Sequence, residues 1–550
     1  MLPPSKLPMN LKQILKQNLL EALTKLNLTA ESLDFTATKN PKFGDLSTNI
    51  ALISGKSASQ NPLELANQIC SVIRCDKSIV SGVNVTQPGF INFRINPKYY
   101  HTILKQILSN DSDFYSNKSG VGKTANVEFV SANPTGPLSV GHGRQAVLGD
   151  TIANILQWHG YTVTREYYYN DGGKQMRILA QSVEARYFQT LDKNVEWKAK
   201  YYQGDYITNI ATEIIEKCGD KLKSGDERFR KIAEEIIFSG IRKTLKTIGI
   251  EHDIFSNEKD FIKSNLIIEV IDKLRKSNLI YEENGATWFK TTALGKDKDR
   301  VLIKNTGEPA YRLPDILYHR DKLERNYDLL IDVFGADHID SYPDVLDALI
   351  ALGYDTSKLR VLIHQFVTLT KSGEKVKMST RKADYVTLDE LINIVGRNVV
   401  RYFFLMRGMN THLNFDIELA QDQSDNNPVY YLQYAHARIC NIIRHGDQKG
   451  IHFSEKFKPQ LLIHPAEIEL LKQLNAYPET MAKVLTSLEP RTIANYLQSL
   501  AAAFHKFYTD CHVITEDAPF SQARIALITA TKNILANGLS ILGINAPERM

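Results

Sequence analysis

The segment from about residue 125 to 169 constrains the fold more than any other part of the chain. ANVEFVS (125–131) alternates as a strand, and SANPTGPLSVGHG (131–143) follows as a turn rich in Gly and Pro. Val147, Leu148, Ile152, Ile155 and Leu156 then recur at helical spacing up to Gly160, placed as a C-terminal cap, and YTVTREYYY (161–169) alternates again. Strand, turn, helix and strand in that order make a βαβ unit, which commits the chain to a parallel sheet with helices on its faces. The same pattern resumes after a long helical stretch (about 174–280), with LLIDVFGADH (329–338) and RVLIHQFVTL (360–369) as further strands. A small β element is expected inside the insertion, around ATWFKTTAL and DRVLIKN.

The flanks differ in character. Residues 1–115 open with a helical face (Leu11, Ile14, Leu15, Leu19, Leu20, Leu23) and end in alternating stretches such as GFINFRI, which reads as a small α+β domain. The polar run from Ser109 to Gly120 reads as a linker. Residues 421–550 are almost purely helical, which leaves 116–420 as the α/β domain with insertions. Three domains fit a length of 550 residues, at roughly 150 residues per domain.

Composition excludes little. With 43% hydrophobic and 23% charged residues the chain is neither collagen-like nor wholly disordered. Lys plus Arg is 67 against 62 for Asp plus Glu, a net +5 that permits an anionic partner without demanding one. Five scattered cysteines form neither a disulfide framework nor paired zinc knuckles. No run approaches the roughly 20 apolar residues of a membrane span, and the N-terminal stretch lacks an apolar core for export. A cytoplasmic protein without membrane attachment is expected.

In open α/β sheets ligands bind beyond the carboxyl ends of the strands. SANPTGPLSVGHGR lies there: Gly141 and Gly143 allow close approach of a ligand to the backbone, the helix start offers free N–H groups to phosphate, and His142 can donate to a phosphate oxygen. The turn has neither G-x-G-x-x-G nor a Walker lysine, so a dinucleotide fold and a P-loop are disfavoured. A second element, KSGEKVKMSTRKADYVTLDEL (371–391), gathers Lys371, Lys375, Lys377, Arg381 and Lys382 around Lys377-Met378-Ser379-Thr380. A basic loop is ordinarily a solvated face. Placed after a buried strand, with Ser and Thr among its cations, this one suits a clamp on a polyphosphate.

With these two elements on the page, the chain resembles the class I aminoacyl-tRNA synthetases, and within them the arginyl-tRNA synthetases. The H-x-G-H signature maps to Ser139-Val140-Gly141-His142 and the Lys-Met-Ser-Lys signature to Lys377-Met378-Ser379-Thr380. NPKFGDLSTN, REYYYNDGG, FGADH, NPVYYLQYAHARI and GINAPERM extend the resemblance along the whole chain. Two positions depart from the pattern: Ser139 replaces a histidine, and Thr380 replaces a lysine. Some arginyl enzymes carry a lysine just before the first signature instead, but Pro134-Thr135-Gly136-Pro137 has none. Lys375 or Arg381 is therefore expected to neutralise the leaving pyrophosphate.

The resemblance implies a Rossmann-like catalytic domain between an N-terminal α+β tRNA-binding domain and a C-terminal helical anticodon-binding bundle. It implies activation of arginine by ATP and transfer to the 3′ end of tRNA(Arg), with Mg²⁺ accompanying ATP, no dedicated protein metal site, and tRNA bound before activation. A monomer is expected. The implied catalytic set is Ser139, Gly141, His142, Lys377, Met378 and Ser379, to which Lys375 and Arg381 are added as the expected replacement cations. The arginine pocket carries over to Glu128, Asn133, Tyr311, Asp315 and Asp337. The ATP site carries over to Pro134, Gly141, His142, His338, Lys377 and Ser379. Asn170 and Asp171 are expected on the same cavity. A guanidinium fork calls for carboxylates and planar acceptors, which this set contains.

One argument for the nucleic acid is independent of the resemblance. On the helix beginning near Val429, Leu432, Ala435, Ile439, Ile442 and Ile443 share an apolar face, while Tyr430, Tyr434, Arg438 and Asn441 fall opposite. Outward tyrosines beside Arg suit stacking on unpaired bases, and interhelix packing is the competing explanation. The resemblance places Tyr430, Tyr434, Arg438 and Met550 at the anticodon loop. A tRNA-binding paralogue without aminoacylation and a relative activating a different acid remain as alternatives.

Overall fold

The computed structural model describes residues 11–29, 32–38, 40–109, 115–376 and 386–550. The N-terminal unit pairs short strands into an antiparallel sheet (36–37, 46–48, 90–95 and 80–86, in spatial order) against helices at Leu11–Lys25, Pro62–Val72 and Pro97–Leu108. Asn61 and Asn96 cap the last two through side-chain oxygens, each followed by proline in the first turn, the preferred start of a helix.

The central layer is a five-stranded parallel sheet. Its elements in chain order are β1 (Thr124–Glu128), α1 (Val140–Trp158), β2 (Thr162–Tyr169), β3 (Ile254–Asn257), α2 (Arg312–Glu324), β4 (Leu329–Gly335) and β5 (Leu359–His364). The spatial order is β5-β4-β1-β2-β3, all neighbours parallel. The chain leaves β1 toward β2 on one side and returns as β4 on the other, which opens a crevice at the carboxyl end of β1. Gly160 follows α1 at φ 87°, as expected of a glycine ending a helix.

Two sequence expectations change. The helical insertion contains a fifth strand, β3, too short at four residues to show alternation. RVLIHQFVTL is not one strand. β5 ends at His364, and Val367–Lys371 joins a separate sheet, parallel to Leu413–Asp416 and antiparallel to Glu374–Lys375. The break is fixed by backbone bonds from Gln365 N to Met409 O (2.9 Å) and from Leu413 N to Phe366 O (3.1 Å). Neither Gly nor Pro marks it. The insertion's β element is a three-stranded antiparallel sheet, 280–283, 286–289 and 300–303.

The C-terminal bundle opens with α3 (Pro428–Gln448) and continues through helices at Pro465–Asn475, Tyr477–Ser487, Arg491–Asp510 and Ala518–Ile541. Asn427 caps α3, its side chain accepting from Val429 N at 3.0 Å. All five cysteines are free thiols. No helix among the described residues is long and apolar enough to cross a membrane.

Candidate active site

The turn after β1 is built under backbone strain. Val130 (φ 71°) and Ser131 (φ 41°) both lie in the left-handed region, a costly conformation for a β-branched residue. Ser131 Oγ donates to Glu128 Oε1 (2.9 Å) and accepts from Tyr168 N (3.0 Å), which fixes the junction. Ser139 is the N-cap of α1. Its Oγ accepts from His142 N (3.3 Å), and its own N–H donates to His142 Nδ1 (3.2 Å). Serine, a preferred capping residue, thus serves the helix start at this position.

Because His142 Nδ1 accepts a backbone N–H, its proton resides on Nε2, which is left as a donor on a cavity-lining ring. Burial holds the His142 pKa below the ordinary value, against a smaller opposing influence of Asp337, so the ring is neutral at pH 7. Gly143 admits Leu388 and Phe404: a Cβ there would meet Leu388 Cδ1 at 2.6 Å. Leu388 N also donates to Leu138 O (2.8 Å), and Thr387 bridges to Ser139. The chain leaving the second signature is therefore stitched to the first. Lys377, Met378, Ser379 and Arg381 lie outside the described residues. Lys375 is exposed on the short strand that precedes them.

The cavity beyond the strand ends has a volume of about 1600 Å³. Ser139, Gly141, His142, Glu128, Asn133, Tyr311, Asp315, Asp337 and His338 all line it. Three described residues of the expected set do not: Lys375, Pro134 and Asp171. Pro134 is buried and off the wall, and the buried Asp171 turns its carboxylate to Lys259 Nζ at 3.2 Å. Asn170 does line the cavity, and its Nδ2 donates to Glu258 Oε2 (2.7 Å). Asn133 is exposed and donates to Gln175 Oε1 (2.8 Å). His338 stacks on Phe334 with ring centroids 4.9 Å apart.

α2 carries Tyr311 at its N-cap and Asp315 in its first turn, and Pro314 is accommodated because that turn needs no donor there. Tyr311, 82% exposed, stands at the cavity mouth. Asp315 has no hydrogen-bond or ion-pair partner for its carboxylate among the described residues. Burial, reinforced by Glu128 and Glu258 against the opposing charges of His319 and Arg312, pushes it up from 3.8 to about 7. Glu258 is also raised, chiefly by burial, although Tyr168 Oη donates to it at 2.9 Å. Tyr168 packs against Tyr318 with ring centroids 4.4 Å apart and planes tilted by 33°, giving the pocket an aromatic wall. Two under-compensated carboxylates beside aromatic rings form a site for a cation.

Sequence reasoning missed Glu258, His364 and the buried cations of α2. Glu258 sits in no motif. His364 lines the cavity with its Nε2 unpartnered, and burial lowers its pKa to about 4. The signal for the α2 cations was legible: Asp332 interrupts the otherwise apolar LLIDVFG, and a buried carboxylate requires a partner.

On α3, Val429, Leu432, Ala435, Ile439 and Ile442 are buried, while Tyr430, Tyr434 and Arg438 are half-buried on the other side. Tyr430 and Tyr434 stack at 6.4 Å and 8°, and Tyr434 continues onto His505 at 6.1 Å and 10°. Arg438 is held by Tyr508, donating to its Oη at 2.7 Å. The segment 545–548 runs along α3, accepting from Gln433 (2.8 Å), His436 (2.8 Å) and Arg444 (2.9 Å) through the carbonyls of Asn545, Pro547 and Glu548. Met550, beyond it, is exposed.

A parallel sheet whose first strand feeds a Gly-His-Gly helix start, with an acidic cavity at the switch point, is the catalytic unit of a class I aminoacyl-tRNA synthetase. The family model described as tRNA synthetases class I (R), catalytic domain, matches residues 103–410. The arginyl tRNA synthetase N terminal domain matches 9–95, and the DALR anticodon binding domain matches 432–550. An arginine–tRNA ligase of Desulfotalea psychrophila is 47% identical over 511 residues, covering 92% of this chain and 93% of that protein. One of Chlorobaculum tepidum is 47% identical over 543 residues, covering 96% and 98%. In fold, the arginyl-tRNA synthetase of Thermus thermophilus superposes with a TM-score of 0.77 at 20% identity, covering 98% of this chain and all of that one. The chain belongs to the arginyl-tRNA synthetases.

Proposed function

We propose that the chain joins arginine to tRNA(Arg) in two steps: arginine and ATP form arginyl-adenylate and pyrophosphate, and the arginyl group then passes to the terminal ribose of the tRNA. The observation that carries this reading is the pair Asp315 and Glu258, carboxylates kept short of compensating charge in a cavity that adjoins the nucleotide-type helix start. A guanidinium supplies the missing charge, and its planar fork can bridge two carboxylates. Tyr311 covers it from the mouth, while Glu128 and Asn133 face the α-ammonium and α-carboxylate end.

His142 Nε2–H and the free N–H groups at the start of α1 receive phosphate oxygens. Asp337 belongs with the arginine pocket, and His338 borders the nucleotide. Lys375, with Arg381 just beyond the second signature, neutralises the departing pyrophosphate, and Lys377, Met378 and Ser379 belong to the same catalytic set. The protein performs little covalent chemistry. Its work is to align the carboxylate with the α-phosphorus and to stabilise developing charge.

ATP enters as its magnesium complex, so the ion arrives with the substrate. One buried acid group, Glu128 with His319 and Asp332, has a spacing a metal could use, but Lys322 Nζ already lies between its carboxylates. Tyr430, Tyr434, Arg438 and Met550 meet the anticodon loop, and the N-terminal domain meets another part of the same tRNA. The protein acts in the cytoplasm as a monomer.

ATP–pyrophosphate exchange with each amino acid, with and without tRNA, tests the reading. Exchange with arginine alone, and only when tRNA is present, is the expected result. Exchange with a different acid, or with none, overturns it, and the latter outcome favours a tRNA-binding paralogue.

A further inference from the structure

Parallel register sets three carboxylates abreast on neighbouring strands. Asp332 of β4 is the partner of Glu128 of β1, and Glu128 is the partner of Glu166 of β2. Their exposures are 0%, 2% and 0%. Strands lie about 4.8 Å apart, so a row of three buried negative charges is strongly self-repelling unless cations meet it.

All the cations come from one helix. His319, Lys322 and Arg325 follow one another at intervals of three along α2 and its last turn, on one face. His319 Nε2 meets Asp332 Oδ2 at 3.0 Å, and its Nδ1 lies 2.7 Å from the Asp315 carbonyl oxygen. Both neighbours are acceptors, so both ring nitrogens donate and the imidazole is cationic. Lys322 Nζ donates to Glu128 Oε2 (2.7 Å) and to Asp332 Oδ1, with its side chain 1% exposed and Nζ 4.9 Å from the Tyr318 ring centroid. Arg325 Nη2 closes on Glu166 Oε1 at 2.9 Å.

Stability alone is a weak reason for such a cluster, because apolar residues of similar volume commonly replace buried ion pairs at no cost. Its placement gives a better one. The same helix presents Asp315 and Tyr311 to the cavity, and Glu128, whose other oxygen is held by Ser131, lines that cavity. We propose that Lys322 is a positioning residue for arginine recognition: by gripping Glu128 and Asp332 together it fixes the Glu128 carboxylate and sets how α2 offers Asp315 to the substrate. Lys322 does not touch the substrate; it acts through these two carboxylates. The proposal rests on the arginine-activating reading above.

The test uses the full chain with tRNA present and measures KM for arginine and for ATP in pyrophosphate exchange. Lys322→Met raises the arginine KM about tenfold or more, the effect of losing one charge-assisted hydrogen bond to a binding group, and leaves the ATP KM within about twofold. Lys322→Arg recovers most of that loss. The double variant Lys322→Met/Asp332→Asn removes one buried charge of each sign and guards against misfolding of the single variant. Folded, it retains the arginine defect, since Glu128 still lacks its anchor. A folded double variant with the wild-type arginine KM overturns the proposal. Equal rises in both KM values also overturn it, because they report general loosening. Wild-type protein inactive with arginine would instead overturn the reading on which the proposal rests.

Discussion

Asp315→Asn is expected to strengthen the fold while abolishing arginine activation. The carboxyl is displaced from 3.8 to about 7, an excess of about three units, by burial first and by Glu128 and Glu258 second. The folded chain holds a proton through that window which the unfolded chain has released, so folding loses stability as pH rises from about 4 to about 7. At about 1.4 kcal/mol per unit the full cost is about 4 kcal/mol above pH 7. Asp315 opens on a solvent-accessible cavity, which screens part of this and leaves about 2 kcal/mol. At pH 5.5 only about half of the window has been crossed, and the cost is about 1 kcal/mol. Asparagine keeps the shape and removes the charge. Urea unfolding without substrates, at pH 5.5 and pH 8, should therefore show a stability gain of about 1 kcal/mol rising to about 2 kcal/mol. Exchange with arginine should be lost at both values. A variant less stable than the parent at pH 8, or a gain that does not change with pH, refutes the electrostatic argument.

The same ionisation should govern substrate capture. kcat/KM for arginine should fall toward tenfold per pH unit below about 7, while KM for ATP stays nearly level, as pH profiles from 6 to 8.5 will show. Tyr434→Ala removes the middle of the Tyr430–Tyr434–His505 stack and should raise the KM for tRNA about tenfold, the worth of one base–aromatic stack, with arginine and ATP values unchanged. Unaltered charging efficiency would take α3 out of tRNA recognition. Lys375→Ala should slow pyrophosphate exchange about tenfold or more by removing a charge-assisted contact. If Lys375→Ala and Arg381→Ala both leave the exchange rate intact, neither replaces the lysine missing at Thr380.

The parts of the fold legible in sequence were those with local periodicity. The βαβ unit is written in the alternation of ANVEFVS and YTVTREYYY around one helical stretch, and α3 shows its buried stripe and its tyrosines at a spacing of four. β3 was hidden because four half-buried residues on an edge strand are too few to show alternation, and the break at Gln365-Phe366 because tertiary bonds rather than a turn residue end β5. The site divides in the same way. Gly141 and His142 announce themselves by type and position at a helix start. Glu258 reaches the pocket only through the chain path after β3, and Tyr168 and Asn170 aim it from β2 and the turn that follows. Lys322 is a lysine among other charged residues on a helix until β4 and β1 are placed side by side.

α2 therefore maintains opposite electrostatic conditions seven residues apart. At Lys322 every charge is matched: Asp332 and Glu128 surround the ammonium, and this holds Asp332 ionised despite burial. At Asp315 the match is deliberately incomplete, although the positive end of the helix dipole favours an anion there. An arginine side chain completes the pattern, and the proposed selectivity follows from what other side chains fail to complete. Citrulline has the shape but no charge, and leaves Asp315 and Glu258 without a compensating cation. A site built around such groups rejects the analogue lacking the partner far more strongly than a hydrophobic pocket rejects a missing methylene. Lysine brings the charge as a point rather than a planar fork, so it can satisfy one carboxylate well but not two from a single plane. Under the proposed reading, the ladder at Lys322 fixes the helix that presents Asp315, while Tyr168 and Asn170 hold Glu258 from the neighbouring strand and turn, so rigidity at Lys322 and discrimination at Asp315 belong to one helix.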